Sequence, residues 1–440
     1  MSQFVVIGGG IAGLTAANAL ASTGAKVTIF EQARELGGRA RTKQDGDYFL
    51  NLGPHALYAG GMAARTFAEW NIQLSGGNPT DEAKGVHAVL VRGDELFPAV
   101  KNLGSILASR LFRFREKFEL ARLFGSFKEV DADPSENLKQ WLDKRVRSER
   151  VREFIELAVR TATYAAAFDC LNARSALEQL SLALKPGVIY LDGGWQTLVD
   201  GLTHRAVSRG VEIRTGVQIS CLNDVRSDGI ILATDPETVE QLTGVTLAPR
   251  KAIYAACLDL CLSRLPEGAP TAAFALNRPL YYSVHSAVAR LAPPGEAVVH
   301  MMKYLQHPSS NPASLRGELE QYADLVMPGW RMNLKRTRYL PNLMVSASLP
   351  GTRGRADVVL PNFDDLAIAG DWVGSEGMLV DAAVSSALRA ARFISNRISD
   401  RERRDFPNKG KSFCEPEARG SGSCSGPCTG AVQSGRQKYT

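Results

Sequence analysis

The stretch VVIGGGIAGLTAANALASTGAKVTIFE (5–31) decides how the chain begins to fold. Residues 4–7 read as a short buried strand. Ile11–Ala21 has helical spacing with Gly24 as its stop, and Lys26–Phe30 alternates as a β-branched second strand. Strand, tight turn, helix and strand in so few residues predict a βαβ unit with a right-handed crossover. The turn is G-x-G-x-x-G, with Gly8, Gly10 and Gly13 as its glycines and Ile11 and Ala12 inside it. Gly8 permits the turn, Gly10 lets the backbone approach a pyrophosphate, and Gly13 lets helix and strand pack closely. The helix N-terminus favours the ligand's negative charge. Glu31 ends the second strand 18 residues past Gly13, where a carboxylate can accept both ribose hydroxyls of an adenosine.

Moving outward, ELGGRART (35–42) follows directly. An NAD dehydrogenase has no need of Gly37-Gly38-Arg39 here. Two glycines bring backbone close to a ligand, and the arginines bring charge to a diphosphate. This feature points to FAD. Far along the chain, Ala369-Gly370-Asp371-Trp372 ends another buried strand and precedes a helix over 378–397. A carboxylate at that place can accept from ribityl hydroxyls, and the helix N-terminus can stabilise negative charge on a reduced flavin.

With these motifs quoted, the chain resembles the FAD-dependent amine oxidase superfamily, nearest its phytoene desaturase and protoporphyrinogen oxidase branches. The likeness runs from residue 1 to about 397. It implies that NLGPHALY (51–58), with Gly53, Pro54 and His55, lies against the isoalloxazine ring. It implies likewise that LDGGWQTLVDGL (191–202) is a glycine-led helix, that Val217 touches adenine, and that Leu379 and Val380 belong to the C-terminal flavin motif. The chain departs from the family at Asp381-Ala382-Ala383 and Ser386-Ala387, and its Gly-Asp-Trp is closer to the desaturase form.

Between the motifs, 88–100 reads as a hairpin turning at Gly93-Asp94, 102–182 as helical, 193–207 as a helix, 211–214 as a strand, 250–305 as several strands and 313–326 as a helix. The expected fold is α/β: a discontinuous Rossmann-like FAD domain (1–70, 185–245, 355–400) with an inserted substrate domain of mixed sheet and helices (71–184, 246–354). Residues 401–440 carry eight Lys/Arg and four Asp/Glu with almost no large apolar residue, so they read as disordered. That tail supplies +4 of the +6 net charge and leaves +2 for the body, which argues against a nucleic-acid partner. Cys257 and Cys261, four apart on a strand, sit about 13 Å from each other, too far for a disulfide. No histidine nearby suggests a metal site. The start MSQFVVIGGG has no signal-peptide form, and no apolar run is long enough to span a bilayer, so a cytoplasmic protein is expected.

The reaction implied is oxidation or desaturation of a largely apolar molecule, isoprenoid-like or a tetrapyrrole, by hydride transfer to flavin N5, with O2 or another acceptor taking the electrons. Amine oxidation with peroxide release and flavin-dependent isomerisation are the alternatives. Candidate catalytic side chains are His55, beside the ring by resemblance; Tyr164, one helical turn from Arg160; and His285, on the same strand face as Tyr281. Residues 101–128 hold seven basic and two acidic residues among many Leu and Phe. This is the composition of a helix at a membrane surface, and equally of helices capping a domain with their cations in water.

Overall fold

The computed structural model describes residues 2–81, 85–100, 102–126 and 132–405. Residues 1–399 form one compact unit, and a second begins at Asp400. The helix Leu379–Asp405 runs through 401–405, where the sequence reading expects disorder. RERRD contains neither glycine nor proline and continues a helix readily. Residues 406–440, with Cys424 and Cys428, lie outside the described residues.

A parallel sheet carries the strands Glu212–Thr215, Lys26–Glu31, Gln3–Ile7, Gly229–Leu232 and Leu366–Ile368, in that spatial order. Ile7 lies opposite Phe30 on one side and Leu232 on the other. The strand order therefore reverses at Gln3–Ile7. Such a switch point opens a crevice at the strand C-termini, where the glycine turn sits. The helix Ile11–Ala21 is buried at every position but Ala19, which its alanines and glycine permit. Asn18 fixes it to the helix Gln196–Ser208 by donating to the carbonyls of Leu14 and Leu202, both at 2.9 Å.

A second sheet runs Leu334–Ser346, Ile253–Leu262, Ala297–Leu305, Leu280–Val284, Ala272–Ala275, Ala88–Arg92, Glu95–Pro98. Neighbours are antiparallel except Ala272–Ala275 beside Ala88–Arg92. The pleat divides its side chains. Ala256, Leu258, Leu260, Tyr282, Val299 and Met301 share one core with the helix Pro312–Val326. The alternate positions, Ala255, Cys257, Tyr281, Met302 and Tyr304, pack against Tyr164 and Ala166. The first strand, LKRTRYLPNLMVS, is missed by the sequence reading because its charges and Pro341 break the alternation. It is an edge strand, where both are tolerated, and the register shifts at Pro341.

The region 102–182 resolves into the helices Leu103–Ala108, Phe114–Ser126, Leu138–Arg145, Glu149–Thr163 and Ala173–Leu184. Asn102, Asn137 and Asn172 each cap one by accepting from a backbone N–H three residues on. The parallel sheet and the helical layer keep separate apolar cores, and we propose the same division into FAD and substrate domains that the sequence suggests. Among the described residues no helix is long and apolar enough to cross a membrane.

Candidate cofactor and active site

The glycine turn shows which of its glycines the protein itself requires. A Cβ on Gly13 would stand 1.8 Å from the Gly8 carbonyl oxygen, so only glycine lets the helix meet the strand. A Cβ on Gly10 would meet nothing within 4 Å, and its φ of −77° is ordinary. Glycine at 10 therefore keeps open a space that the protein does not fill. The helix that starts there has no side-chain cap and no acidic residue in its first turn, so the N–H groups of Ile11, Ala12 and Gly13 present an uncancelled positive end. The second glycine segment docks on this turn, with Gly37 N–H donating to Gly9 O at 2.8 Å and Gly38 lying over the Cα of Gly10.

Glu31 sits at the rim as expected, but its oxygens already accept from backbone: Oε2 from Gly9 N–H at 2.6 Å and Oε1 from Ala33 N–H at 2.8 Å. Each oxygen retains a further lone pair. Val217, with an exposed side chain, donates its N–H to Glu31 O at 2.9 Å.

Arg39 and Asp371 come from opposite ends of the chain and face each other, both Nη atoms lying 2.7 Å from the two carboxylate oxygens. The sequence reading gives these residues separate ligands. The structure pairs them because Asp371 is buried and Arg39 is the cation within reach. Burial alone would raise the Asp371 carboxyl; the Arg39 guanidinium outweighs it and holds the group below its ordinary value. Gly370 N–H donates to Ser386 Oγ at 3.0 Å, and Trp372 Nε1 donates to Thr234 O at 3.0 Å. Arg355, which the sequence reading overlooks, donates to the carbonyls of Asp371, Gly374, Glu376 and Gly377 and so shapes the loop before the last helix. Leu379 begins that helix at a φ of +54°, Val380 is buried beside it, and Asp381 in its first turn accepts from Ala63 N–H at 2.8 Å. Burial pushes Asp381 up to about 6.

Around His55, and beside the strands Leu280–Val284 and Ala297–Leu305, aromatic and histidine side chains form a packed cluster. His55 contacts Gly53 O through Nδ1 at 3.0 Å and packs on Trp195 at 4.6 Å. Burial pushes His55 down to about 4, so it is neutral at pH 7. Tyr164 donates to Pro54 O at 2.9 Å, which ties the Gly53-Pro54-His55 turn to the end of the helix that carries Arg160. His285 stacks on Tyr190 at 3.7 Å, lies 3.4 Å from Tyr281 Oη through Nε2, and meets His300 edge-on at 4.5 Å. Its pKa is also well below the ordinary histidine value, through burial. Polar atoms buried in this region without a partner among the described residues include Trp195 Nε1, His285 Nδ1, His300 Nε2, Tyr304 Oη, and Nε with Nη1 of Arg160.

Residues 11–250 match the family model of the flavin-containing amine oxidoreductases. The chain belongs to that family. A curated relative of this oxidoreductase, 4,4'-diaponeurosporene oxygenase of Staphylococcus aureus, is 22% identical over 269 residues, covering 51% of this chain and 52% of the relative. The chain thus spans about half the length of the curated relatives it matches. Among solved structures, an oxidoreductase from Methanosarcina mazei superposes with a TM-score of 0.71 at 18% identity, over 89% of this chain and all of that one. A putrescine oxidase with putrescine bound gives 0.67 at 15%, over 90% and 99%. The cofactor of this flavin-containing oxidoreductase is FAD. The residues present fit it: Gly10 keeps a space open, the helix end beside it is uncapped, and buried donors near His55 lack partners among the described residues. The sequence reading singles out the glycine segments, His55, Tyr164 and His285. It misses Arg355, Trp195, Tyr190, Asp259, His300 and Arg338. Asp259 and His300 left one trace, as polar residues at alternate positions within the apolar strands LDLCL and VVHMM.

Proposed function

We propose that this chain is an FAD-dependent oxidoreductase that removes hydride from a largely apolar small molecule with a ring N–H conjugated to the reacting carbon and an acidic side arm. The reduced tetrapyrrole class fits best. When bound, FAD supplies the two-electron acceptor. Gly8, Gly10, Ile11, Ala12, Gly13 and Glu31 would hold its adenosine and pyrophosphate, with Val217 beside the adenine. Gly37, Gly38 and Arg39 would flank the diphosphate, while Gly370, Asp371, Leu379 and Val380 would carry the ribityl and ring end against Gly53, Pro54 and His55. The packed aromatic and histidine side chains would exclude water and hold the substrate.

The observation that carries the substrate reading is the set of buried polar groups in that cluster with no partner among the described residues. Against a pure hydrocarbon each would forfeit about 1–3 kcal/mol, so a carotene fits less well than a molecule with N–H and carboxylate groups. Arg160 is 8% exposed, and its nearest carboxylate, Glu156, is 4.0 Å away, which leaves its charge suited to an acidic arm. The same features favour a second reading, oxidation of an amine or amino acid. Anaerobic mixing distinguishes the readings. A carboxylate-bearing porphyrinogen should bleach the flavin fastest, L-phenylalanine or benzylamine doing so instead would support the amine reading, and bleaching by a C30 polyene alone would overturn both.

We further propose that the exposed Leu103, Leu107, Phe114 and Phe118, with Arg110, Arg113 and Arg115 among them, meet an anionic membrane surface. Exposed apolar side chains interleaved with exposed cations support that reading.

A further inference from the structure

The seven-stranded sheet carries a row of polar side chains on the face that packs against Tyr164 and Ala166. Asp259 stands opposite Arg338 on one neighbouring strand and opposite His300 on the other, and His300 stands opposite Ser283. Four strands thus contribute one rung: Arg338, Asp259, His300, Ser283. Asp259 and His300 are fully buried, and their flanking strand neighbours on the other face are Leu258, Leu260, Val299 and Met301. Two buried polar groups in so apolar a sheet persist only if each is satisfied or used.

Asp259 is satisfied on both sides. Its Oδ2 accepts from Arg338 Nε at 2.8 Å and Nη2 at 2.6 Å, and its Oδ1 lies 2.6 Å from His300 Nδ1. Arg338 is anchored in turn on the carbonyls of Leu50 and Asn51, in the segment that leads to Gly53-Pro54-His55. His300 is satisfied only at Nδ1. Its Nε2 is buried without a partner among the described residues. Arg338 donates to Oδ2 of the carboxylate through Nε and Nη2. Nδ1 of His300 is then the donor to Oδ1, and in the neutral imidazole that tautomer carries its lone pair on Nε2.

We infer that His300 Nε2 takes the proton that the substrate loses as its hydride leaves, with Asp259 and Arg338 as positioning residues that fix the imidazole tautomer. This rests on the proposed oxidation and deepens it. The C–H bond of the reacting carbon breaks and its electron pair leaves with the hydrogen to the flavin, the two-electron oxidant. The N–H bond of the attached pyrrole breaks, its electrons form a C=N bond within that ring, the ring's π electrons shift to form the C=C bond to the reacting carbon, and the proton goes to Nε2. His285 is less suited to this task. Its Nε2 already faces Tyr281 Oη, and burial holds its basicity far below that of an ordinary histidine. It serves as a neutral wall between His300 and Tyr190.

Asp259→Asn makes a specific prediction. Arg338 requires an acceptor, so the amide turns its oxygen toward the guanidinium and its NH2 toward His300. Nδ1 must then accept, and the proton moves to Nε2. In the flavin-loaded protein, ¹⁵N-histidine NMR resolves six histidines, and the signal missing from His300→Gln identifies His300. Wild type should show a protonated Nδ1 with a bare Nε2, Asp259→Asn the reverse, and Arg338→Lys the wild-type pattern. With the probe that bleaches wild type fastest, flavin reduction should fall on the order of 10²–10⁴-fold in Asp259→Asn and His300→Gln. It should stay within about tenfold in Arg338→Lys, with flavin content retained in all three. A protonated Nε2 in wild type overturns the inference whatever the substrate. So does an inverted tautomer in Asp259→Asn with a rate within about threefold of wild type. Absence of bleaching by every probe in wild type counts against the substrate reading alone, because the tautomer pattern still decides the role of the rung.

Discussion

The two sheets use their side chains in opposite ways. At the parallel sheet the working surface is backbone: Gly10 leaves its side chain out beside an uncapped helix end, and Gly38 lies over it without one. At the seven-stranded sheet it is side chains, arranged across Arg338, Asp259 and His300 by strand register. A backbone site needs an absence of side chains at fixed local spacing. A rung needs residues tens of positions apart whose alignment depends on every loop between them. The first is written locally in the sequence, the second only in the register.

The largest test of this contrast lies within the glycine turn. Gly13→Ala puts a methyl 1.8 Å from a backbone oxygen and forces helix from strand. It should destabilise by about 3 kcal/mol or more, seen as a large fall in thermal midpoint, with no flavin retained. Gly10→Ala meets no protein atom within 4 Å, so the midpoint of the flavin-free protein should hold while flavin affinity falls at least about tenfold. Equal losses of stability in the two variants would refute the division between a glycine kept for packing and one kept for a ligand.

A second test separates the regions by pH. His55 is pushed down to about 4, so between about pH 4 and 6.5 the unfolded chain binds its proton and the folded chain does not. Stability is then lost as pH falls through that window, by about 3 kcal/mol in full. Asp381 is pushed up to about 6, so it acts with the opposite sign: stability is lost as pH rises from about 4 to 6. Relative to wild type, His55→Gln should gain stability toward pH 4 and Asp381→Asn should gain it toward pH 6 and above. Denaturant unfolding across that range reads both, and gains of the same sign in one window would contradict the burial argument.

A third test concerns the join between the chain ends. Asp371→Asn keeps the shape but removes the charge that Arg39 meets at two oxygens. Flavin affinity should weaken by about 1–3 kcal/mol, measured by titrating flavin into the stripped protein, while unfolding of that stripped protein moves less because Arg39 is half exposed.

How much was legible follows from the same contrast. The βαβ unit and the segments at 37–39 and 370–371 could be read because glycine spacing is local. His55 and His285 could be picked out, but not their neighbours: His300 reaches His285 only through the pairing of Ala297–Leu305 with Leu280–Val284. Arg355 was invisible for another reason. It acts through four backbone carbonyls, and an arginine that wraps a loop leaves no pattern in the sequence. The Arg39–Asp371 pair was half visible, since each residue was singled out and only their meeting was not.

The smallest effect lies outside both sheets. Phe114 and Phe118 are 75% and 65% exposed and pack only edge to face on one another at 4.9 Å. Their removal should leave the glycine turn and the rung untouched. Each ring that enters an interface gains on the order of 1–2 kcal/mol, and the nearby arginines add a term that salt screens. Wild type should float with anionic vesicles at low salt and dissociate as salt rises. Phe114→Glu with Phe118→Glu should remain with the soluble fraction while keeping flavin content and thermal midpoint. If wild type fails to float, these rings serve no lipid surface. If the double variant loses flavin, the helix Phe114–Ser126 supports the site after all, and the separation between cofactor surface and outer layer is narrower than the two cores suggest.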